Sequence, residues 1–238
     1  ASQRAAAFIL TAAMLTTLTA PAFAGTWYIE NGDITVKAGD TEGTNKVKQG
    51  DSDFVKDEGD TIITGTSNQN TVTIETEKKD DKVEVTLKDV NIDASSRNEA
   101  AVSVTGKGDT NIELDGDNKL QSGSGHAGLE HNKTDTSGEL TIQDNDKNGS
   151  LKAAGGQYGA GIGGAGAAND AQVKITGGKI TATGGEYGAG IGGGFKGSGD
   201  VTISGGEIHA NGGNYGAGIG GGDYSSGKVT ISGGEINA

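Results

Sequence analysis

Asp144-Asn145-Asp146-Lys147-Asn148-Gly149 reproduces the first half of an oxygen-ligand calcium loop, Asp-x-Asp-x-Asn-Gly. Carboxylates and amide carbonyls at alternate positions supply the hard oxygen donors that calcium takes, and the glycine permits the sharp turn. Asp144, Asp146 and Asn148 are therefore the candidate metal ligands. The second half of the loop is missing, because Gly155 stands where a bidentate Glu would close the site. Strings of Asp, Asn and Gly also build ordinary turns. The sequence leaves this loop open between a calcium site and a turn, and it calls for no other cofactor.

Other reactive side chains are sparse. His126, His131 and His209 are the only histidines, and none sits in a metal or nucleophile motif. His131 with Glu130 and Asn132 reads as a solvated turn. Arg97 is the only arginine beyond residue 24, so an arginine base of the lyase type has one candidate. The absence of cysteine removes disulfides, thiolate zinc sites and cysteine nucleophiles. No Lys-Ser/Thr follows the glycine runs, so none is a phosphate loop. No constellation of acids and bases marks an enzyme.

Composition narrows the classes further. Glycine supplies 45 of 238 residues against a usual ~7%, whereas proline occurs once, which excludes collagen. So much glycine disfavours helix. The net charge of −13 argues against nucleic acid or an anionic membrane as partner. Ala1–Ala24 differs in character from the rest of the chain. Arg4 precedes an apolar run that ends at Ala22-Phe23-Ala24, a small-x-small cleavage pattern before Gly25. Residues 1–24 are expected to be a signal peptide, already shorn of its initiator Met, and the protein to be secreted or held at the cell surface. Removing Arg4 takes the charge to 18 − 32 = −14.

Repeats decide the architecture. Gly155-Gly156-Gln157-Tyr158-Gly159-Ala160-Gly161-Ile162-Gly163-Gly164 returns at Gly184 and again at Gly212, with its tyrosines 29 and 28 residues apart (187 − 158 and 215 − 187). Val173-x-Ile175-x-Gly177-Gly178-x-Ile180-x-Ala182 returns 28 residues later at Val201, and after another 28 at Val229. A fixed period of this size marks a solenoid, propeller or array. Weaker copies run upstream through Leu140-x-Ile142, Ile112-x-Leu114 and Val85-x-Leu87. Residues 25–238 therefore read as one domain, with irregular coils over 25–84 and repeat coils over 85–238.

Parity gives the unit. Val173 and Ile175 face one side; the Gly-Gly pair shifts the phase, and Ile180 with Ala182 face that side again. Three short strands with one apolar face each, separated by glycine corners, make a coil of a parallel β-helix. The fold class is all-β, with right-handed coils of about 28 residues expected from the bias of parallel crossovers. The same parity turns Tyr158, Tyr187 and Tyr215 inward, as an internal stack rather than a sugar-binding ladder. It turns Gly159, Gly161, Gly163 and their repeats outward. Such bare positions mark either bends or close approach by another backbone.

The Tyr-Gly-Ala-Gly-Ile-Gly-Gly run followed by Val-Thr-Ile-Ser-Gly-Gly resembles β-helical repeats of secreted surface proteins from gut and anaerobic Gram-positive bacteria. Residues 27–142, with Val85-Thr86-Leu87-Lys88-Asp89-Val90-Asn91-Ile92, are similar to the clostridial cell-surface carbohydrate-binding β-helix family. That resemblance implies a pectate-lyase-like fold, polysaccharide binding and calcium in places. The expected role is thus an adhesin-like module that binds extracellular polysaccharide or host glycan without turnover, a polysaccharide lyase or hydrolase on the same fold and a structural stalk or self-assembling fibre being the alternatives. Outward polar positions would carry the contacts: Lys174, Thr202 and Thr230 in one ladder, Thr181, His209 and Asn237 in another. Glu207 and Glu235 should stack one period apart, relieved by Lys179. Ala238 corresponds to Ala210, in mid-coil, so the chain is expected to continue or to pair head-to-tail through that coil or the glycine face.

Overall fold

The structure is a computed structural model that describes residues 25–167 and 169–238; the leader expected over Ala1–Ala24 lies outside them. The chain winds as a parallel β-solenoid of about six turns. In one coil Ile162–Gly163 is followed by Ala171–Ile175 and Lys179–Thr183, and Ile191–Gly192 opens the next. Each strand pairs in parallel with its equivalent one coil on. Val173 lies on Val201 and Val201 on Val229; Ile180 lies on Ile208, and Ile162 on Ile191. The Ala171–Ile175 and Lys179–Thr183 strand types form two lanes of one 13-stranded sheet, and the Ile162–Gly163 type belongs to a separate nine-stranded sheet.

Alternation explains the core. Val173, Ile175, Ile180, Ala182, Val201, Ile203, Ile208 and Ala210 are all buried, in one cluster that runs the length of the stack. Each fully buried isoleucine contributes roughly 1.5–3 kcal/mol. Ile175, Ile203 and Ile231 form the expected inner ladder, although Ile231, in the last coil, is 49% exposed. The corner after each ladder needs left-handed backbone, and Gly178, Gly206 and Gly234 supply it at φ +92°, +96° and +92°. In the long strand Lys82–Asp93 the same corner falls on Asp89, at φ +51°. Aspartate tolerates this region, and its carboxylate accepts the Asp117 N–H at 3.0 Å.

The first coils are irregular, with a feature the repeats do not foretell. Ile34–Ala38 pairs in parallel with Val72–Thr76 but antiparallel with Asn45–Gln49, which pairs antiparallel with Val55–Asp57. Lys46-Val47-Lys48 buries a single apolar side chain, too little alternation to announce a strand. Trp27 packs part-buried against the core, while Tyr28 remains exposed.

Two parity assignments are corrected. Gly-Gly-x-Tyr-Gly is a turn rather than a strand, and only Ile191–Gly192 of that block is extended. Alternation does not apply within the turn, so the tyrosines point outward: Tyr158 is 37% and Tyr215 58% exposed. Nor are the glycines a bare outer wall. Gly159, Gly161, Gly188 and Gly190 are buried between successive coils. A Cβ on Gly188 would overlap the carbonyl oxygen of Gly159, and one on Gly216 that of Gly188. Close approach of backbone to backbone, within the chain, is the reason for these glycines.

Gly188→Ala should consequently cost about 1–3 kcal/mol, the range of overpacking. Thermal or urea melts should show this as a loss of roughly 2–12 °C. Ser204→Ala, at an exposed position of the same coil, should leave the melt unchanged.

Candidate functional site

The solenoid turns period into surface geometry. Outward residues of the first lane form the row Glu84, Asn111, Thr141, Lys174, Thr202, Thr230, each paired with the next across one strand spacing. That spacing is ~4.8 Å. The row is cross-linked where charge allows. Asn111 Nδ2 donates to Glu84 Oε1 at 3.4 Å, and Thr141 Oγ1 and Lys174 Nζ both donate to Glu139 Oε1, at 3.3 and 3.1 Å. Thr202 and Thr230 carry no such partner among the described residues. Beside the row runs a shallow groove lined by Asp60, Glu84, Thr86, Asn111, Glu113 and Gln143.

The second lane, past the glycine corner, carries Asn91, Lys119, Lys152, Thr181, His209 and Asn237 in register. The residues of the two ladders expected from the sequence thus lie in register, in two lanes of the same sheet. His209 is committed within its own wall: its Nε2 lies 3.1 Å from Glu207 Oε1, which also takes Lys179 Nζ at 3.1 Å. Hydrogen bonds from His209 and then Lys179 hold the Glu207 carboxyl below its ordinary range. Glu207 is directly opposite Glu235, so Lys179 and His209 relieve the like-charge contact.

The Asp144–Gly149 loop behaves as a turn and also gathers acids. Asp144 Oδ1 accepts the N–H groups of Asn148 and Gly149, both at 3.1 Å, and Asp146 Oδ2 accepts Asn148 Nδ2 at 2.8 Å. The coil below contributes the residue that linear reading could not supply. Glu113 grips Asn145 through both carboxylate oxygens, at 2.6 and 2.7 Å. Carboxylate oxygens of Glu113, Asp144 and Asp146 all lie within 4.8 Å of one another. Three oxygen donors this close could hold a hard divalent cation. The signal for Glu113 was its register, since it pairs with Gln143 just ahead of the loop.

The histidine trio is corrected. Glu130 and His131 are 6% and 2% exposed, on the short strand Leu129–His131, and form no solvated turn. Neighbouring residues of a strand point opposite ways, so they do not cluster. Glu130 instead accepts from His126 Nδ1 at 2.8 Å and from Asn132 Nδ2 at 3.0 Å. His131 lies between the carbonyls of Val104 and Gly138. Arg97 is paired with Glu99 at 2.7 Å.

The tyrosines make an exposed ladder that the sequence reading placed inside. Main-chain bonds from Tyr187 to Gln157 and from Tyr215 to Glu186 set one turn upon the next. Ring centroids are 5.3 and 5.2 Å apart, with planes within 10° and 9° of parallel, and Phe195 leans on two of the rings. The faces of Tyr187 are therefore covered by its neighbours. A sugar ring cannot stack on Tyr187, whereas Tyr215, 58% exposed, and Tyr224, 84% exposed, leave aromatic surface open.

A family model described as a beta helix repeat matches residues 173–195 and 201–223. The match falls on two of the glycine-rich coils and agrees with the fold. No curated protein and no solved structure shows significant similarity to the chain.

The Tyr187 phenol titrates above its ordinary range, first because of the Glu186 carboxylate, then desolvation and the flanking phenols. A phenol whose folded pKa is raised contributes stability present below the unfolded value, near 10, and lost as pH climbs through the folded one. Stability should thus fall more steeply above pH 10 in the parent than in Tyr187→Phe. Urea midpoints measured from pH 8 to 11 check this.

Proposed function

We propose that the protein is a non-enzymatic, extracellular carbohydrate-binding module that holds an extended polysaccharide along its walls. The observation that supports this most directly is the six-residue polar row from Glu84 to Thr230. It places amide, hydroxyl, carboxylate and ammonium groups at one-coil spacing, Thr141 alone being buried, and a groove flanks its Glu84–Asn111 end. Such a wall engages a polymer through many weak contacts, and effective concentration multiplies them. The exposed faces of Tyr215 and Tyr224 add an aromatic end to the surface.

A glycan array followed by calorimetry tests the reading. Long polymers should bind, short oligomers of the same sugar at least tenfold more weakly, and a Lys174→Ala, Thr202→Ala double variant should lose affinity for the polymer. No reducing or unsaturated sugar should be released. Release of such products would make the protein a lyase or hydrolase, and absence of binding to every glycan would make it a stalk.

Calcium forms the second part of the proposal, with Glu113, Asp144 and Asp146 as the ligands and Asn148 beside them. Millimolar calcium should raise the melting temperature by several degrees, as any ligand of the folded state does. Asp146→Ala and Glu113→Gln should each abolish the rise. No rise with the parent chain would leave the loop a turn.

A further inference from the structure

Asp57 is a carboxylate without a countercharge in a place where one is needed. It is 2% exposed, in the antiparallel strand Val55–Asp57. Its oxygens accept from the main-chain nitrogen of Gly25 at 2.7 Å, from Trp27 Nε1 at 3.0 Å and from Thr61 Oγ1 at 3.1 Å. Thr61 is in turn held by Asn45 Nδ2 at 2.8 Å. All of these donors are neutral. Among the described residues no lysine, arginine or histidine forms an ion pair with Asp57, and the adjacent Lys56 turns to Glu58. Burying an ionised carboxylate among neutral donors is costly.

The shortest of these contacts is made by the nitrogen of residue 25. That is the atom a cut after Ala22-Phe23-Ala24 would release. A second, independent feature singles out the same residue. A Cβ at position 25 would lie 2.5 Å from the Trp27 indole nitrogen and 2.8 Å from Asp57 Oδ2, so any side chain there would force the indole or the carboxylate to shift. The Gly25 carbonyl meanwhile accepts the Ile62 N–H at 3.0 Å. Residue 25 is thus fixed on both sides into the first coil.

We propose that hydrolysis of the Ala24–Gly25 bond creates an α-ammonium that pairs with buried Asp57, so that processing completes the N-terminal end of the solenoid. A leader peptidase is the required catalyst and water the co-reactant. Water adds to the Ala24 carbonyl carbon, the C–N bond breaks, Ala24 departs as a carboxylate, and the Gly25 nitrogen takes up the protons. A free α-amine has a pKa of about 7.7–8.0, so it is largely cationic at pH 7. The cut replaces a neutral amide donor by a cationic ammonium at the same carboxylate oxygen, so a hydrogen bond already in place becomes an ion pair as well.

This inference rests on residues 1–24 being a leader, and two measurements separate the two claims. Amino-terminal sequencing of the exported protein should begin at Gly25; any other start overturns both. Melting temperatures should then be compared for chains beginning at Gly25 and at Ala24, each with Asp57 and with Asp57→Asn. Retaining Ala24 should lower the melting temperature by about 5 °C when Asp57 is present, and by less than a fifth of that with Asp57→Asn. Equal losses in the two backgrounds, or none, overturn the pairing while leaving the leader intact. Should Asp57→Asn fail to fold, the Gly25 amine of the parent decides the matter. It should react with an acylating reagent at least tenfold more slowly in the folded chain than in urea, and equal rates refute the pairing.

Discussion

Everything in this molecule depends on one coil lying directly on the next at the spacing of a β-ladder. Parallel pairing satisfies the backbone of the strands within the repeat coils through their neighbours above and below, and it also forces the turns between strands to stack. Where the turn is wide, side chains fit. Where it is tight, backbone meets backbone, and Gly188 against Gly159 shows that not even a methyl group is accommodated. The glycine content therefore reflects the closeness of the coils rather than chain flexibility.

That constraint shapes the surface as strongly as the core. A residue on an outer wall has its equivalents one rung away, so any side chain repeated in the sequence becomes a row in space. Rows of like charge are relieved locally, as Lys179 and His209 do for Glu207. Rows of aromatic rings satisfy one another, and the tyrosines spend their faces on mutual stacking. Rows of small polar groups, such as Thr202 and Thr230, remain open. The stack offers long, regular walls, and the polysaccharide proposed for them would engage several coils at once.

The two acidic features differ in how the fold makes them. Glu113, Asp144 and Asp146 meet because one coil sets its strand under the next coil's loop. Asp57 is buried because an antiparallel meander folds back over the first coil and brings the carboxylate to Gly25 and Trp27. One group of carboxylates shares a surface with solvent at hand; the other is enclosed with neutral donors. Solvent screening makes the first tolerable without a partner, and its absence makes the second ask for one.

The 28-residue period, the strand pairs at Val173–Ala182 and their inward isoleucines could be read from the chain alone. Alternation in a strand is a local property, and a strict repeat leaves few ways to stack it. The same reasoning placed Lys174 with Thr202 and Thr230, and Thr181 with His209, because equal sequence spacing becomes register. It failed at Tyr187, where a turn breaks the alternation, and at Glu130 and His131, which lie in a strand too short to show a pattern. It could not reach Glu113 beside Asp146, nor Asp57 beside Gly25, 32 residues away. Those meetings are set by which coil or meander lies over which, and no local periodicity carries that information. Residue order along the chain is enough to specify a coil; which side chains from different turns share a site is settled when the coils stack.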